Sequence, residues 1–397
     1  MQSQDSFLPY GRQLIEPDDE AAVLAVMRSS HLAHGPTVGA FETAFARAVG
    51  SAEAVAVSSG TAALHLLYVS LDLPAGSKAY VPAITFLSTA TAAIMAGLEP
   101  VMVDVDPSSG LMTPETLGEA LTEGPGVVAP VHLGGVFCDL AGLARVAAEA
   151  GLCLIEDACH AVGGTDAAGR YAGASGRSLG AAFSFHPVKT LCAGEGGMIS
   201  LDDPVRAARL RRLRNHAVTR DPEALCEPHS FDAAGAVTPW TYEETELGFH
   251  ARMCEMEAAL GLSQLSKLER FAERRRHLCR LYDTALADLA PMVRPSLVPQ
   301  GQDPNRHLYT VLIDFEALKQ DRATVMRRLA AAGIGTQVHY IPLYRQPYLG
   351  RVVGGTRLAG AEGWYGRTLT LPLFPALQDG DVERVVQALK TALQAAP

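Results

Sequence analysis

Between about residue 54 and residue 202, short apolar runs alternate with longer stretches whose apolar positions recur at helical spacing. The runs AVAVSS (54–59), AYVPAI (79–84), PVMVDVD (100–106), GVVAPVHL (126–133), CLIEDA (153–158) and AAFSFH (181–186) read as strands. The stretches between them read as helices: GTAALHLLYVSL, LSTATAAIMAG ending at Gly97, TPETLGEAL with Thr113 as cap and Pro114 at the first helical position, and DLAGLARVAAEAG between Asp139 and Gly151. Such alternation predicts an α/β fold, a mostly parallel sheet covered by helices on both faces. Ligands on sheets of this kind sit at the carboxyl ends of the strands.

The pattern changes near residue 252. RMCEMEAALGLSQLSKLERFAERRRHLCRLYDTAL contains no proline and keeps helical spacing, which predicts one or two long helices joining two domains. After a proline-rich break, HLYTVLIDF and TQVHYI read as strands, and DRATVMRRLAAAG and GDVERVVQALKTALQ as helices of a smaller α+β domain. The expected division is a large domain over 1–250 and the linking helix with the small domain over 251–397. No internal repeat or low-complexity tract is present.

Composition narrows the function classes. Apolar residues make up 48% of 397, enough for a large core, yet no apolar run reaches the ~18 residues that span a bilayer. No basic stretch followed by an apolar one opens the chain, so no signal peptide is expected. The seven cysteines contain no C-x-x-C pair and read as core or loop residues of a reducing compartment, consistent with a cytoplasmic protein. A formal charge of −10 argues against nucleic-acid or anionic-membrane partners. The basic segment VRAARLRRLRNHAVTR (205–220) is the exception, and it reads as a solvated helix face. No metal-ligand spacing stands out.

Four short stretches fall at strand ends. In VSSGTAAL (57–64), Gly60 and Thr61 open a helix directly after a strand, where free amides and the helix dipole favour a phosphate. In IEDACH (155–160), Asp157 closes a strand, three residues before His160; its carboxylate fits either a cap or a partner for a protonated heterocycle. In FSFHPVKTLCAGEGG (183–197), Ser184 and His186 share one strand face, and Lys189 lies just past the strand end beside a glycine-rich turn. A desolvated lysine there suits Schiff-base chemistry. In ELGFHARMCEMEAALG (246–261), Arg252 precedes the long helix and has the fork geometry for a carboxylate. Each stretch has an ordinary reading as turn, cap or surface ion pair. Together they supply a phosphate cradle, an acid for a ring nitrogen, a reactive amine and a carboxylate clamp, the parts that pyridoxal 5′-phosphate requires.

These stretches, with PYGRQ, PAITFLSTA, GEGGMIS, AALGLSQL and VHYIPLY, make the chain resemble the DegT-like nucleotide-sugar aminotransferases over nearly its whole length. SFHPVK, PWTY (239–242) and VHYIPLY most resemble the UDP-sugar 4-transaminases of pseudaminic acid-type biosynthesis. The resemblance implies a fold type I transferase with a seven-stranded sheet, pyridoxal phosphate as cofactor, and L-glutamate and a keto nucleotide sugar as substrates. It further implies a homodimer with shared active sites. By position it implies that Lys189 bonds the cofactor, Asp157 pairs with the ring nitrogen, Phe86 stacks on the ring and His160 lies near its 3-hydroxyl. Gly60, Thr61 and Ser184 would hold the phosphate, completed from the second subunit by His250, where the family usually has asparagine. Arg252 would reach the donor carboxylate. Tyr10, Leu32, Ala33, His186, His339 and Tyr340 would face the sugar nucleotide. Ala251 and MCEME also depart from the family pattern. Sugar 3-dehydratases of the same scaffold carry histidine in place of the lysine, so Lys189 favours amino transfer. Other nucleotide-sugar or cyclitol ketones, and a non-catalytic cofactor-binding regulator, are the alternative functions.

Overall fold

In the computed structural model, which describes residues 7–355 and 357–394, eight short strands build the central sheet. They are β1 (Glu53–Val57), β2 (Lys78–Pro82), β3 (Glu99–Val103), β4 (Gly126–Val128), β5 (Cys153–Leu154), β6 (Glu156–Asp157), β7 (Ala181–Ser184) and β8 (Gly197–Leu201). β5 and β6 are one extended segment: the amide of Ile155 between them donates to Val128 O. Two four-stranded halves therefore join into one sheet of seven lines, ordered β1-β8-β7-β6/β5-β4-β2-β3, as the family resemblance implied. Every pairing is parallel except the two made by β8.

Period-two alternation decides which helix covers which face. Val55, Val57, Ala79, Val81, Val127 and Ile199 point into one core with helices Gly60–Val69, Ser88–Met95 and Pro204–Leu213. Their neighbours Ala54, Ala56, Phe183 and Met198 point the other way, against Phe41 and Phe45 of helix Pro36–Val49 and Ala258 of helix Glu255–Leu265. Tyr80, Val128 and Leu154 pack on that same far side with helices Pro114–Ala120 and Leu140–Glu149. Strands buried on both faces read as near-continuous apolar runs, which is why the sequence showed them clearly.

The expected long segment is two helices, Glu255–Leu265 and Leu268–Ala285. The second packs through Leu278, Cys279 and Tyr282 on a three-stranded antiparallel sheet of Val293–Pro295, Tyr309–Ile313 and Thr368–Leu371, with helices Arg322–Ala331 and Asp379–Gln394. TQVHYI is not a strand. Only Gln337 bridges to Thr370, and the rest runs as a loop along the large sheet's carboxyl edge.

The arginine-rich helix differs from its expected solvated face. Arg209 pairs with Asp72 and Glu246, Arg211 with Glu42 and Glu53, Arg214 with Glu42, and Arg206 reaches Ser70. These arginines tie the helix to helix Pro36–Val49, to the turn after helix Gly60–Val69, to β1 and to the loop at Glu246. Among the described residues no helix is long and apolar enough to cross a membrane.

Candidate active site

The carboxyl ends of β2, β6 and β7 open onto a cavity of about 530 Å³, within the usual size of small-molecule sites. Its floor is the β7–β8 hairpin loop (185–196), which carries Lys189. Gly197 lets this loop lie against the turn before helix Gly60–Val69: a Cβ there would sit 2.4 Å from Ser59 O. In that helix the Ser59 hydroxyl caps Ala62 N–H, so the amides of Gly60 and Thr61 have no intrahelical partner and are free for an anion. Gly60 has no room for a side chain, since a Cβ would stand 2.8 Å from Ser184 Cβ and 3.1 Å from Cys159 Sγ. Ser184, at the end of β7, lines the same corner.

Asp157, 4% exposed, closes β6 with both carboxylate oxygens hydrogen-bonded. Oδ1 accepts from Cys159 N–H at 3.1 Å and Oδ2 from the Thr89 hydroxyl at 2.7 Å. In the same cavity, loss of hydration lowers the Lys189 amine below its ordinary pKa, opposed in part by Cys159 and Asp157. A lowered pKa enlarges the neutral, nucleophilic fraction.

His160 has a defined tautomer. Its Nδ1 accepts from Gly134 N–H at 3.1 Å, which puts the ring proton on Nε2, 3.3 Å from the Tyr340 hydroxyl. Burial, reinforced by Lys189, holds its pKa well below the usual histidine value, so it serves as a neutral donor. His339 is pushed down to about 3 by burial and packs between Tyr10 and Tyr340, with Nδ1 2.8 Å from Thr370 Oγ1. Phe86 reaches the cavity from the turn after β2 and is 54% exposed. Behind Asp157, Glu156 is fully buried; it accepts from His132 Nε2 at 2.9 Å, from Gly173 N–H and from Ser178.

The cavity therefore gathers Tyr10, Gly60, Thr61, Phe86, Asp157, His160, Ser184, His186, Lys189, His339 and Tyr340. Four other expected residues stand outside it. His250 packs on His216, with ring centroids 5.5 Å apart, and Arg252 donates to Asn215 Oδ1 at 2.5 Å. Leu32 is exposed; its carbonyl accepts from Glu255 N–H, and the Glu255 carboxylate holds Gly35 and Thr37. Leu32 and Ala33 thus lie with the Arg252 segment. Sequence reasoning passed over Thr85, Cys159, Glu195 and Gln337, which also line the cavity. Thr85 had one visible signal: with Thr89 it makes an i, i+4 threonine pair across the start of helix Ser88–Met95.

The residues suit pyridoxal phosphate. The cradle at Gly60 excludes a side chain and offers free amides for a phosphate. A carboxylate fixed by two hydrogen bonds, the kind of partner a protonated ring nitrogen requires, and an amine of lowered basicity line the same cavity.

Comparison with known proteins gives a consistent result. The description of the DegT/DnrJ/EryC1/StrS aminotransferase family matches residues 13–390. The chain is 34% identical over 399 residues to the spore coat polysaccharide biosynthesis protein SpsC of Bacillus subtilis (strain 168), covering 100% of both. Among solved structures it is similar to DesI, determined in the presence of its TDP-sugar product, at 32% identity and a TM-score of 0.85, covering 98% of this chain and 94% of that one. Helicobacter pylori PseC, an aminotransferase of pseudaminic acid biosynthesis, shares the fold at a TM-score of 0.88 and 23% identity, covering 98% and 99%.

Proposed function

The chain belongs to the DegT/DnrJ/EryC1/StrS aminotransferase family, whose members are pyridoxal-phosphate-dependent sugar aminotransferases, and from that premise we propose that it transfers the amino group of L-glutamate to the 4-keto carbon of a nucleotide-linked sugar. The observation that carries the reading is that Lys189 and Asp157 line one cavity together with the Gly60 cradle.

When bound, the cofactor supplies an aldehyde for covalent attachment and an electron-poor ring that takes up charge from the donor's Cα. The protein's residues do the rest. Lys189 would hold the cofactor, and its Nζ, when free, would be the base nearest the donor's Cα proton. Asp157 would keep the ring nitrogen protonated. Gly60, Thr61 and Ser184 would bind the phosphate, Phe86 would stack on the ring, and His160 Nε2–H would donate to the 3-hydroxyl. Tyr10, His186, His339 and Tyr340 form the wall for the acceptor. His250, Arg252, Leu32 and Ala33 act on the cavity of a second copy, His250 toward the phosphate and Arg252 toward the donor carboxylate.

The SFHPVK, PWTY and VHYIPLY motifs support UDP-4-keto-6-deoxy-N-acetylhexosamine as acceptor. A dTDP-linked keto sugar is the second reading, favoured by the 32% identity to DesI. A regulator that contacts DNA through the arginine helix loses its basis, because those arginines are paired with the protein's own acids.

Borohydride reduction followed by peptide mapping tests the site: the cofactor's mass is expected on the Lys189 peptide and absent in Lys189→Ala. A cofactor mass elsewhere, or near-wild-type turnover in that variant, refutes the assignment. Glutamate should bleach the bound cofactor's colour, and a panel of UDP- and dTDP-linked 4-keto sugars, read by product mass, should restore it with one acceptor.

A further inference from the structure

We propose that Thr85 and Thr89 form a directed hydroxyl relay that positions Asp157, making Thr89 a positioning residue for the cofactor's ring nitrogen. The inference rests on the cofactor reading above and extends it to two residues outside the expected site.

Thr89 is fully buried and Thr85 is 2% exposed. Their hydroxyl oxygens are 2.9 Å apart, and Thr89 Oγ1 is 2.7 Å from Asp157 Oδ2. An ionised carboxylate only accepts, so the one hydroxyl proton of Thr89 goes to Asp157. Thr89 Oγ1 must then accept from Thr85, which fixes the direction of the chain from Thr85 through Thr89 to Asp157. A threonine within a helix ordinarily turns its hydroxyl back to the carbonyl four residues earlier. Thr91, on the same helix, does so, donating to Leu87 O at 3.0 Å. Thr89 instead has its nearest backbone acceptor, Phe86 O, at 3.4 Å, well beyond its distance to Asp157. The helix is pinned from behind as well, where the Tyr68 hydroxyl donates to Thr89 O at 3.1 Å.

The arrangement leaves one donor on each oxygen of Asp157, Thr89 on Oδ2 and Cys159 N–H on Oδ1. The carboxylate is thereby fixed in rotation, with lone pairs remaining for a ring N–H. One turn, 83–89, carries both this relay and Phe86, so ring stacking and ring protonation are set by a single backbone segment.

The test compares Thr89→Val, which keeps the shape and removes the hydroxyl, with Thr89→Ser, which keeps the hydroxyl, and with Thr85→Val, all loaded with ring-15N-labelled pyridoxal phosphate. In Thr89→Val the nitrogen signal should move toward the unprotonated position. The glutamate half-reaction should slow by about 10- to 100-fold, the worth of one charge-assisted hydrogen bond, with little change in the concentration dependence on glutamate. Thr89→Ser should stay within about threefold of wild type, and Thr85→Val should shift the signal the same way by less. A wild-type nitrogen signal in Thr89→Val, or equal impairment in Thr89→Ser, overturns the relay. Should Thr89→Val not fold, an unshifted signal in Thr85→Val overturns it. Failure of the wild-type chain to bond the cofactor at Lys189 is a separate result that removes the parent reading, and the relay with it.

Discussion

Replacing Gly60 by alanine tests the phosphate cradle with one methyl group. Gly60 opens its helix at a backbone conformation open to any residue, so the substitution brings no strain in φ; its effect comes from space. The new Cβ would lie 2.8 Å from Ser184 Cβ and 3.1 Å from Cys159 Sγ, about 1 Å inside ordinary carbon contact. Relief requires the first helical turn and the end of β7 to part. Overpacking of this kind costs about 1–3 kcal/mol, offset in part by the ~1 kcal/mol gain in helix propensity of alanine over glycine, so the apo protein should lose no more than about 2 kcal/mol. Cofactor binding should suffer more. On the proposed reading groups on both sides of the contact would hold the phosphate, and losing one charge-assisted hydrogen bond is worth about 1.5–3 kcal/mol, or roughly 10- to 100-fold in Kd. Fluorescence titration of apo protein with pyridoxal phosphate measures this, and a urea midpoint gives the stability term. A Kd within twofold of wild type would refute the placement of the phosphate at this turn.

Other substitutions reach the frame around the site. Glu42→Ala removes the 7%-exposed carboxylate that accepts Ala56 N–H at 2.9 Å and holds Arg211 and Arg214. Leaving the partly exposed Arg214 and the Ala56 N–H without their acceptor costs about 1–3 kcal/mol, and an unchanged urea midpoint would count against the inward pairing of the arginine helix. Glu156→Gln turns an amide N–H₂ toward donors from His132, Gly173 and Ser178; a loss of about 2 kcal/mol or more is expected, whereas a neutral outcome would mean the pocket repacks freely. Burial lowers the Lys189 pKa in the folded apo protein. Between that lowered value and the ordinary lysine value the unfolded chain binds more protons, so this residue's contribution to stability rises with pH. Wild-type minus Lys189→Met stability, from urea curves of the apo proteins at neutral to alkaline pH, should climb across that window; a flat or falling difference contradicts a desolvated amine.

Much of this arrangement was legible because chain-local physics set it. Strands buried on both faces, Thr113 and Asp139 as helix caps, and residues at strand ends all follow from short-range pattern, and Lys189, Asp157, Gly60 and Phe86 met in one cavity as expected. What escaped depends on contacts distant in sequence. The insertion of β8 between β1 and β7 has no local signature. TQVHYI has strand composition but lies where a loop passes the sheet edge, and only Gln337 finds a partner. The arginines of 206–214 read as surface because their acids, Glu42, Glu53, Asp72 and Glu246, come from four separate segments. Thr89 was read as an ordinary helix residue, since its partner lies 68 positions away.

The tight contact of Gly197 with Ser59 divides the molecule's labour. It seats the lysine-bearing hairpin against the helix that opens at Gly60, so on the proposed reading one block would grip both ends of the cofactor. The 337–346 loop and Tyr10, which on the proposed reading would face the acceptor, line the cavity from another piece of the chain. Selection can therefore redraw that loop for a new sugar while the catalytic block stays untouched, a modular route by which one scaffold acquires many substrates.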